Sequence, residues 1–553
     1  MATATGMATE TPPDRRRLRS GPGWPVAAWT FFPAILNATI ASAQLPGATP
    51  QGPSNAPAAI AASPAIGGDG AAEAAPRRAW FFAPRLSVSQ TFTDNVGLDA
   101  AGASRSDQIT EISPGLRLQG ESARMRMFVD YSMRNFAYAR DSTRNRIGNT
   151  LNSFGTLEAI DKWLFVDLSA VIAQQTISAL GTQSTSAASV NSNSTETTSV
   201  RLSPYVRGRF GALATYEMRY THSDTRSSSN LAANIASDDI SARLNGATAF
   251  ANLGWSLEGS RQSIEYGSGR RSEADRARLF MSYQIDPQVK LNASAGLEAN
   301  DYSSAQKQTR SNFGYGADWS PNERTRLSLF KERRFFGDGR NITFTHRWPL
   351  TALRFSDTRD VNVLPDQLTT ASRGTYYDLL YSQLASSIPD PQLRAQQVTA
   401  LLQQSGIAPN AVVTTGFLTS RATVRSRQEL SLVLNGLRNT VTYTMFQSEQ
   451  TSISTAAGVA DDFSSNSTIR SSGLSSNFAH RLSALTSVNV LSSWIRNTGD
   501  RGQATKLTTM NLSVSTRIGA KTSATMGLRT SRSDGSIAPF RENAVLGTLV
   551  TTF

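Results

Sequence analysis

The sequence predicts an all-β fold, a transmembrane antiparallel β-barrel of about 22 strands within a range of 16 to 24. Three observations carry this. Apolar and polar residues alternate with a period of two along most of the chain after residue 80. Short turns alternate with longer polar connections. No later window holds the roughly 18 consecutive apolar residues that a membrane-crossing helix needs.

The chain opens with Arg15, Arg16, Arg17 and Arg19 ahead of an apolar stretch from Trp24 to Ala41, closed by Ala41-Ser42-Ala43. A basic segment, an apolar segment and a small-x-small site form a secretory signal, with cleavage expected after Ala43. The competing reading, an anchoring helix, is weakened by Pro25, Pro33 and Asn37 inside a run barely long enough to span. Residues 44–79 are rich in Ala, Pro and Gly and hold few large apolar groups, so burial cannot offset the entropy of ordering them. They are expected to form a disordered periplasmic leader, followed by the barrel over 80–553.

Period-two alternation places successive side chains on opposite faces of a strand. Around residue 129, Met125, Met127, Val129, Tyr131 and Met133 share one face, while Arg124, Arg126, Asp130, Ser132 and Arg134 share the other. Leu164, Val166, Leu168, Ala170 and Ile172 repeat the design against Asp167 and Ser169. So do Val289, Leu291, Ala293, Ala295 and Leu297, and later Met510, Leu512, Val514 and Ile518. Short turns are expected near Gly120, Asp161, Gly211, Asp286, Pro321, Arg438, His480 and Gly519. Longer Ser/Asn/Asp/Gly connections fall at 96–106, 140–148, 178–193, 227–238, 266–272, 453–463 and 535–541. Short periplasmic turns with longer outer loops characterise a membrane barrel, and closure is required because an open sheet edge in hydrocarbon leaves backbone groups without partners. Expected strands of 11–17 residues exceed the roughly 9–11 that cross a bilayer, so they should project beyond it.

The alternation breaks within an insertion spanning about 362–414. Over 376–405, Leu379, Leu380, Leu384, Val398, Leu401 and Leu402 take helical spacing around Ile388-Pro389-Asp390-Pro391, which predicts two short helices, the second capped by Asp390. Strand parity puts this insertion on the outer side, where it either plugs the lumen or shields a loop. The chain ends at Phe553 on an alternating strand, a terminal aromatic of the kind that the barrel assembly machinery reads.

Composition narrows the chemistry. Hydrophobic residues make up 39% and mean hydropathy is −0.30, which one polar and one apolar face per strand would produce. With no cysteine, thiolate metal sites, disulfides and cysteine nucleophiles are excluded. The net charge is +13, and because only six of the 55 basic residues are lysines, 49 are arginines. Removing the signal takes away four arginines and two acids, which leaves about +11. Arg124, Arg126 and Arg134 are candidate lumen-facing basic residues. They either favour anions in a pore or are neutralised by acids on neighbouring strands. Catalytic, cofactor and metal residues are not expected. The three histidines, His222, His346 and His480, lack the spacing of a metal pair. In His222-Ser223-Asp224, strand neighbours point to opposite faces, which defeats a catalytic triad. Trp255, Trp319 and Trp494 are sugar-stacking candidates or, alternatively, members of an interfacial girdle.

Trp80-Phe81-Phe82-Ala83-Pro84, followed by Leu86-Ser87-Val88-Ser89-Gln90-Thr91-Phe92-Thr93-Asp94-Asn95-Val96-Gly97-Leu98, resembles the opening of a family of PEP-CTERM-system-associated outer membrane proteins. Arg334-Phe335-Phe336-Gly337-Asp338, Ser356-Asp357-Thr358-Arg359-Asp360-Val361 and Ile388-Pro389-Asp390-Pro391 with Arg394 are similar as well. The resemblance implies a non-catalytic Gram-negative outer-membrane barrel assisting exopolysaccharide transport or secretion. It carries no catalytic residues. The expected partners are outer-membrane lipid, the barrel assembly machinery and an anionic polysaccharide; no nucleic acid and no cofactor is expected. The alternatives are a structural or adhesion barrel with a filled lumen, an outer-membrane hydrolase and, for the fold, a soluble β-solenoid. The last is disfavoured by the lack of a constant repeat.

Overall fold

In a computed structural model, the described residues are 80–553 except 185, 190, 230–233, 249, 251, 268, 364–416, 420, 455–460 and 536–538. The expected signal and leader, and the two helices of the insertion, lie outside the described residues.

Twenty-two strands form one sheet. They are β1 (Trp80–Thr93), β2 (Asp107–Glu121), β3 (Met125–Tyr138), β4 (Arg146–Ile160), β5 (Leu164–Thr176), β6 (Ser194–Phe210), β7 (Ala214–Ser227) and β8 (Ile235–Ala247). Next come β9 (Leu253–Tyr266), β10 (Arg271–Gln284), β11 (Val289–Asn300), β12 (Gln308–Asn322), β13 (Thr325–Arg334), β14 (Gly337–Arg347) and β15 (Thr351–Asn362). After the long insertion follow β16 (Thr423–Asn435), β17 (Asn439–Ser452), β18 (Thr468–Arg481), β19 (Thr486–Gly499), β20 (Ala504–Arg517), β21 (Thr522–Gly535) and β22 (Phe540–Thr552). Each strand pairs antiparallel with its sequence neighbour, and β1 pairs with β22 from Arg85↔Thr552 to Thr93↔Ala544, which closes the sheet. Phe553 N donates to Pro84 O at 2.9 Å and completes the seam. The fold is therefore a closed antiparallel barrel, and no sheet edge is left open.

Connections at one end, the turn side, are two to five residues long; those at the other, the loop side, reach 60 residues between Asn362 and Thr423. All eight expected short turns fall on the turn side and all seven expected long connections on the loop side, where the β15–β16 connection also lies. The turns at 160–163 and 210–213 close with the same bond across four residues but place the left-handed residue differently, third in one and second in the other. Trp163 N bonds to Ile160 O and Leu213 N to Phe210 O, both at 3.1 Å, with positive φ at Lys162 (54°) and Gly211 (57°). Glycine takes that conformation freely and lysine does not. Pro114 and Pro204 sit inside β2 and β6, where the paired positions on the β2–β3 and β6–β7 ladders are interrupted without a shift of register. A proline lacks the N–H that the ladder would use there.

The two faces of the sheet differ chemically. On β5, Leu164, Val166, Leu168, Ala170 and Ile172 point outward over nine residues. This is about 30 Å along the strand, or some 20–25 Å of height once a barrel strand's tilt is allowed for, which matches the apolar band of a membrane barrel. The same belt runs through Leu253, Trp255 and Leu257 on β9, Phe313 and Tyr315 on β12, and Met526 and Leu528 on β21; Tyr315 is 62% and Met526 69% exposed. Nearer the loop side, the outward positions turn polar: Arg261 on β9, Glu449 on β17, Arg532 and Asp534 on β21. The strands thus project past the belt at that end. Trp80, Trp163, Trp319 and Trp348 are exposed near the turn side, and the Trp255 ring lies over Gly246 of the neighbouring strand. This is a girdle of amphipathic rings at an interface.

Candidate functional site: the lumen and its loop-side mouth

The inward face is built from the polar half of each alternation. Side chains on a concave face converge, so ion pairs there can skip a strand. Arg85 on β1 and Arg117 on β2 share the Asp130 carboxylate of β3, with Arg117 Nη2 at 2.8 Å. Arg219 on β7 reaches Asp167 on β5 at 2.8 Å. The longest chain runs Arg243–Glu258–Arg278–Glu332–Arg276 over β8, β9, β10 and β13, at 2.7, 3.0, 3.2 and 2.7 Å. Beside it Arg334, only 11% exposed, pairs with Glu298 at 2.8 Å and with Asp360. Charge-assisted bonds of this kind hold guanidinium groups in fixed positions and neutralise them. Arginines also lie over inward rings, Arg278 on Phe280 at 3.9 Å and Arg427 on Phe446 at 4.6 Å.

From β17 to β22 the inward face changes character. It carries Thr442, Thr444, Ser448, Asn477, Asn489, Asn497, Thr505, Thr509, Ser531 and Ser533, all buried. Within this hydroxyl and amide sector lies the pair Arg529–Glu542, 7% and 1% exposed at the side chain. Glu542 accepts from Arg529 at 2.7 and 3.3 Å, from Thr93 Oγ1 at 3.0 Å and from Ser189 Oγ at 3.2 Å.

The three arginines singled out from the sequence have different fates. Arg134 lies on the inward face of β3 and is clamped by Glu111 of β2 at 2.6 and 2.9 Å, so its charge is neutralised. Arg126 stands at the strand's turn-side end, 68% exposed and 3.3 Å from Glu121. Arg124 does not belong to the strand and does not line the lumen. The chain reverses at 122–125, where Ser122 N bonds Met125 O at 2.8 Å, and this leaves Arg124 exposed in the turn. Phe553 is 63% exposed at the turn-side rim beside the seam. Trp255, Trp319 and Trp494 all occupy outward positions, Trp494 opposite Leu474, so none of them is a stacking platform in the lumen. His222 and Asp224 face outward, Ser223 is buried on the inward face, and His222 Nδ1 lies 2.9 Å from Asp238. Among the described residues no three His, Asp or Glu side chains converge as a metal site would require.

What sequence reasoning missed is the strap across the loop-side mouth. Residues 177–193 join β5 to β6 but run to the far wall. Asn497 Nδ2 on β19 donates to Ala179 O, and Thr505 Oγ1 on β20 to Leu180 O, each at 2.8 Å. Ala179 N donates to Asp462 of the β17–β18 connection at 2.7 Å, and Ser178 Oγ donates to the same carboxylate. The strap then meets Glu542 through Ser189, and Tyr138 OH on β3 donates to Ala188 O at 2.6 Å, while Arg146 on β4 donates to Ala187 O. Ala188 packs among Val96, Ile109, Phe136 and Tyr138. The strap staples itself as well: Gln183 Nε2 donates to the carbonyls of Ser178 and Ala179, and Asn193 Nδ2 to those of Ser178 and Thr182.

Residues 417–419 pack beside the strap. Phe417 forms a parallel bridge to Thr176, and Leu418 N donates to Thr176 O at 3.1 Å. Phe417 packs with Ala179, Phe463 and Ile469, whereas Leu418 packs against the cluster of Ile235, Ile264, Tyr266, Tyr302, Val363 and Ala422. Thr419 Oγ1 donates to Asp461 at 2.6 Å. Asp461 in turn caps the short 3-10 turn Asp462–Ser464. A polar lumen with a narrowed loop-side mouth is the candidate functional site.

No family model matches the sequence, and no curated protein does. Among solved structures, the siderophore receptor PirA from Acinetobacter baumannii is 8% identical over 85% of this chain and 80% of its own, with a TM-score of 0.45. PirA from Pseudomonas aeruginosa is 11% identical over the same shares, with a TM-score of 0.38. OccK1 from Pseudomonas aeruginosa is 9% identical over 85% of this chain and 99% of its own, with a TM-score of 0.30. The assignment as a closed 22-stranded barrel stands on the chain's own strand register.

Proposed function

We propose that this chain is an outer-membrane barrel of a Gram-negative bacterium that passes a polar solute by selection and not by bond chemistry. The observation that carries the reading is the pairing of a continuous apolar outer belt with an inward face of ion-paired arginines and buried hydroxyl and amide groups. Only a bilayer offers such a belt a solvent, and only a lumen gives the inward groups a use beyond closing the sheet. Export with signal cleavage after Ala43, and insertion by assembly machinery that reads Phe553, belong to the same reading.

The finer proposal is assistance to exopolysaccharide transport or secretion, in line with the PEP-CTERM-type resemblance. A neutral wall of Ser, Thr and Asn from β17 to β22 offers hydrogen bonds to a polyhydroxyl chain, and the ion-paired arginines and acids of β8–β13 add fixed polar groups along the same lumen. One observation favours a second reading, a structural or adhesion barrel: the strap and residues 417–419 pack across the mouth. Bilayer conductance separates the two. Outer-membrane fractionation, a boiling-dependent gel shift and conductance reduced by added acidic polysaccharide are expected for the transporter. A folded, heat-modifiable protein without conductance refutes it and leaves the filled barrel.

A further inference from the structure

The outward charges above the apolar belt are compensated over much of the barrel. Arg226 pairs with Asp224 and Arg261 with Glu273, both at 3.2 Å, and Lys331 pairs with Asp338 at 2.9 Å. Even the row Lys331–Arg340–Arg359, whose bases stand opposite one another across strands, has acids within it, since Asp357 takes Arg340 at 2.8 Å. On β19 to β22 the pattern differs. Arg496 stands directly opposite Lys506, and Arg532 directly opposite Arg541, all four exposed on the outward face. Like charges directly opposite on a sheet face repel each other.

Compensation inside this patch is sparse. Arg532 has Asp534 of its own strand at 2.9 Å, and that one acid stands directly opposite Lys506, so four bases share a single carboxylate; no ion pair joins Arg496 or Arg541 to an acid among the described residues. The nearby Asp94 is held by Asn543, at 2.7 Å from its backbone N–H and 2.8 Å from its side chain. Thr508, between Trp494 and Arg532 across the strands, adds a hydroxyl at the same level. Toward the belt, Trp494 is the next outward residue below Arg496, while Met510 (48% exposed), Leu528 (54%) and Val545 (47%) lie two outward positions below Lys506, Arg532 and Arg541, beyond Thr508, Thr530 and Asn543.

We infer that this patch is a docking surface for the phosphate-bearing head group of a lipid in the loop-side leaflet, whose acyl chains lie on Trp494, Met510, Leu528 and Val545. The inference rests on the reading of the chain as a bilayer-spanning barrel. A phosphate dianion between the two basic pairs turns their mutual repulsion into charge-assisted hydrogen bonds. Continuity with the apolar belt selects a lipid over a free anion, because a free anion makes no use of the surface beneath.

The test uses the detergent-folded full chain titrated with lipid A, a bisphosphorylated lipid, with phosphatidylcholine and inorganic phosphate as parallel arms. Bound lipid is read by native mass spectrometry. Arg496→Gln, Lys506→Gln, Arg532→Gln and Arg541→Gln combined should weaken lipid A binding on the order of a hundredfold. The pair Arg226→Gln and Arg261→Gln, on the compensated sector, should leave it unchanged. Gel mobility before and after boiling reports folding independently. Equal lipid A affinity in the folded quadruple variant overturns the proposal, and so does inorganic phosphate binding as tightly as lipid A. A wild-type chain without a boiling-dependent shift overturns the bilayer-spanning reading itself.

Discussion

Glu542→Ala tests the lumen architecture most directly, because one carboxylate there holds two elements together. Its side chain is 1% exposed and accepts from the 7%-exposed Arg529, from Thr93 and from Ser189 of the strap. Removing it leaves a guanidinium buried among Ser, Thr and Ala with no counter-charge. Breaking one side of a buried pair costs about 3–5 kcal/mol. The lost bonds to Thr93 and Ser189, each worth about 1 kcal/mol, belong to the same network and are not simply added. The expected outcome is a loss of about 3–5 kcal/mol in urea unfolding of the lipid-folded barrel, followed by loss of heat-modifiability. Arg529→Met with Glu542→Leu should recover most of that loss, because an apolar pair of similar volume carries no desolvation cost. In planar bilayers, Glu542→Ala should raise conductance by freeing the strap. A cost under about 1 kcal/mol, or a double variant as unstable as the single, would refute the idea that the buried charge sets the energetics.

Three further outcomes follow from other parts of the molecule. Burial pushes the Asp462 carboxyl above the usual carboxylate range, against the bonds from Ser178 and Ala179 that favour its ionised form. A raised folded value stabilises the docked strap below the ordinary carboxylate range and loses that contribution as pH rises through the raised value. Acidification from about pH 7 toward pH 4 should therefore protect 177–193 from proteolysis, and Asp462→Asn should flatten that dependence. Lys162→Gly should stabilise the barrel by about 0.5–1 kcal/mol in urea unfolding, since Lys162 holds φ 54°, a left-handed conformation that glycine takes without the Cβ penalty. Glu111→Gln should free the Arg134 charge in the lumen and shift reversal potentials toward anion selectivity; unchanged selectivity would place Arg134 off the conduction path.

Much of the barrel is legible in the linear sequence because each of its causes is local. Alternation through Met125–Met133 or Leu164–Ile172 requires only that neighbouring side chains point opposite ways. Turns at Asp161 and Gly211 are marked by residue types that favour reversal, even though Lys162 beside Asp161 takes the left-handed conformation at a cost. Less visible are the turns at 248–252 and 348–350, which carry Phe250 and Trp348-Pro349-Leu350 and so read as apolar strand. An interface that solvates rings permits such turns, which polarity alone does not mark.

By itself the sequence determined the closed antiparallel barrel, the sides of its turns and loops, and the division into an apolar and a polar face. Period and turn chemistry act over a few residues, and hydrocarbon forbids an open edge. Only the tertiary structure decided which charges meet. Arg85 and Asp130 are 45 residues apart, and Ser189 and Glu542 are 353 apart. The placement of Arg124 in a turn, the crossing of the mouth by 177–193 and the facing of Arg496 by Lys506 depend equally on register. Register and curvature are collective properties of the whole sheet, and a one-residue slip of register would send every side chain on a strand to the other face.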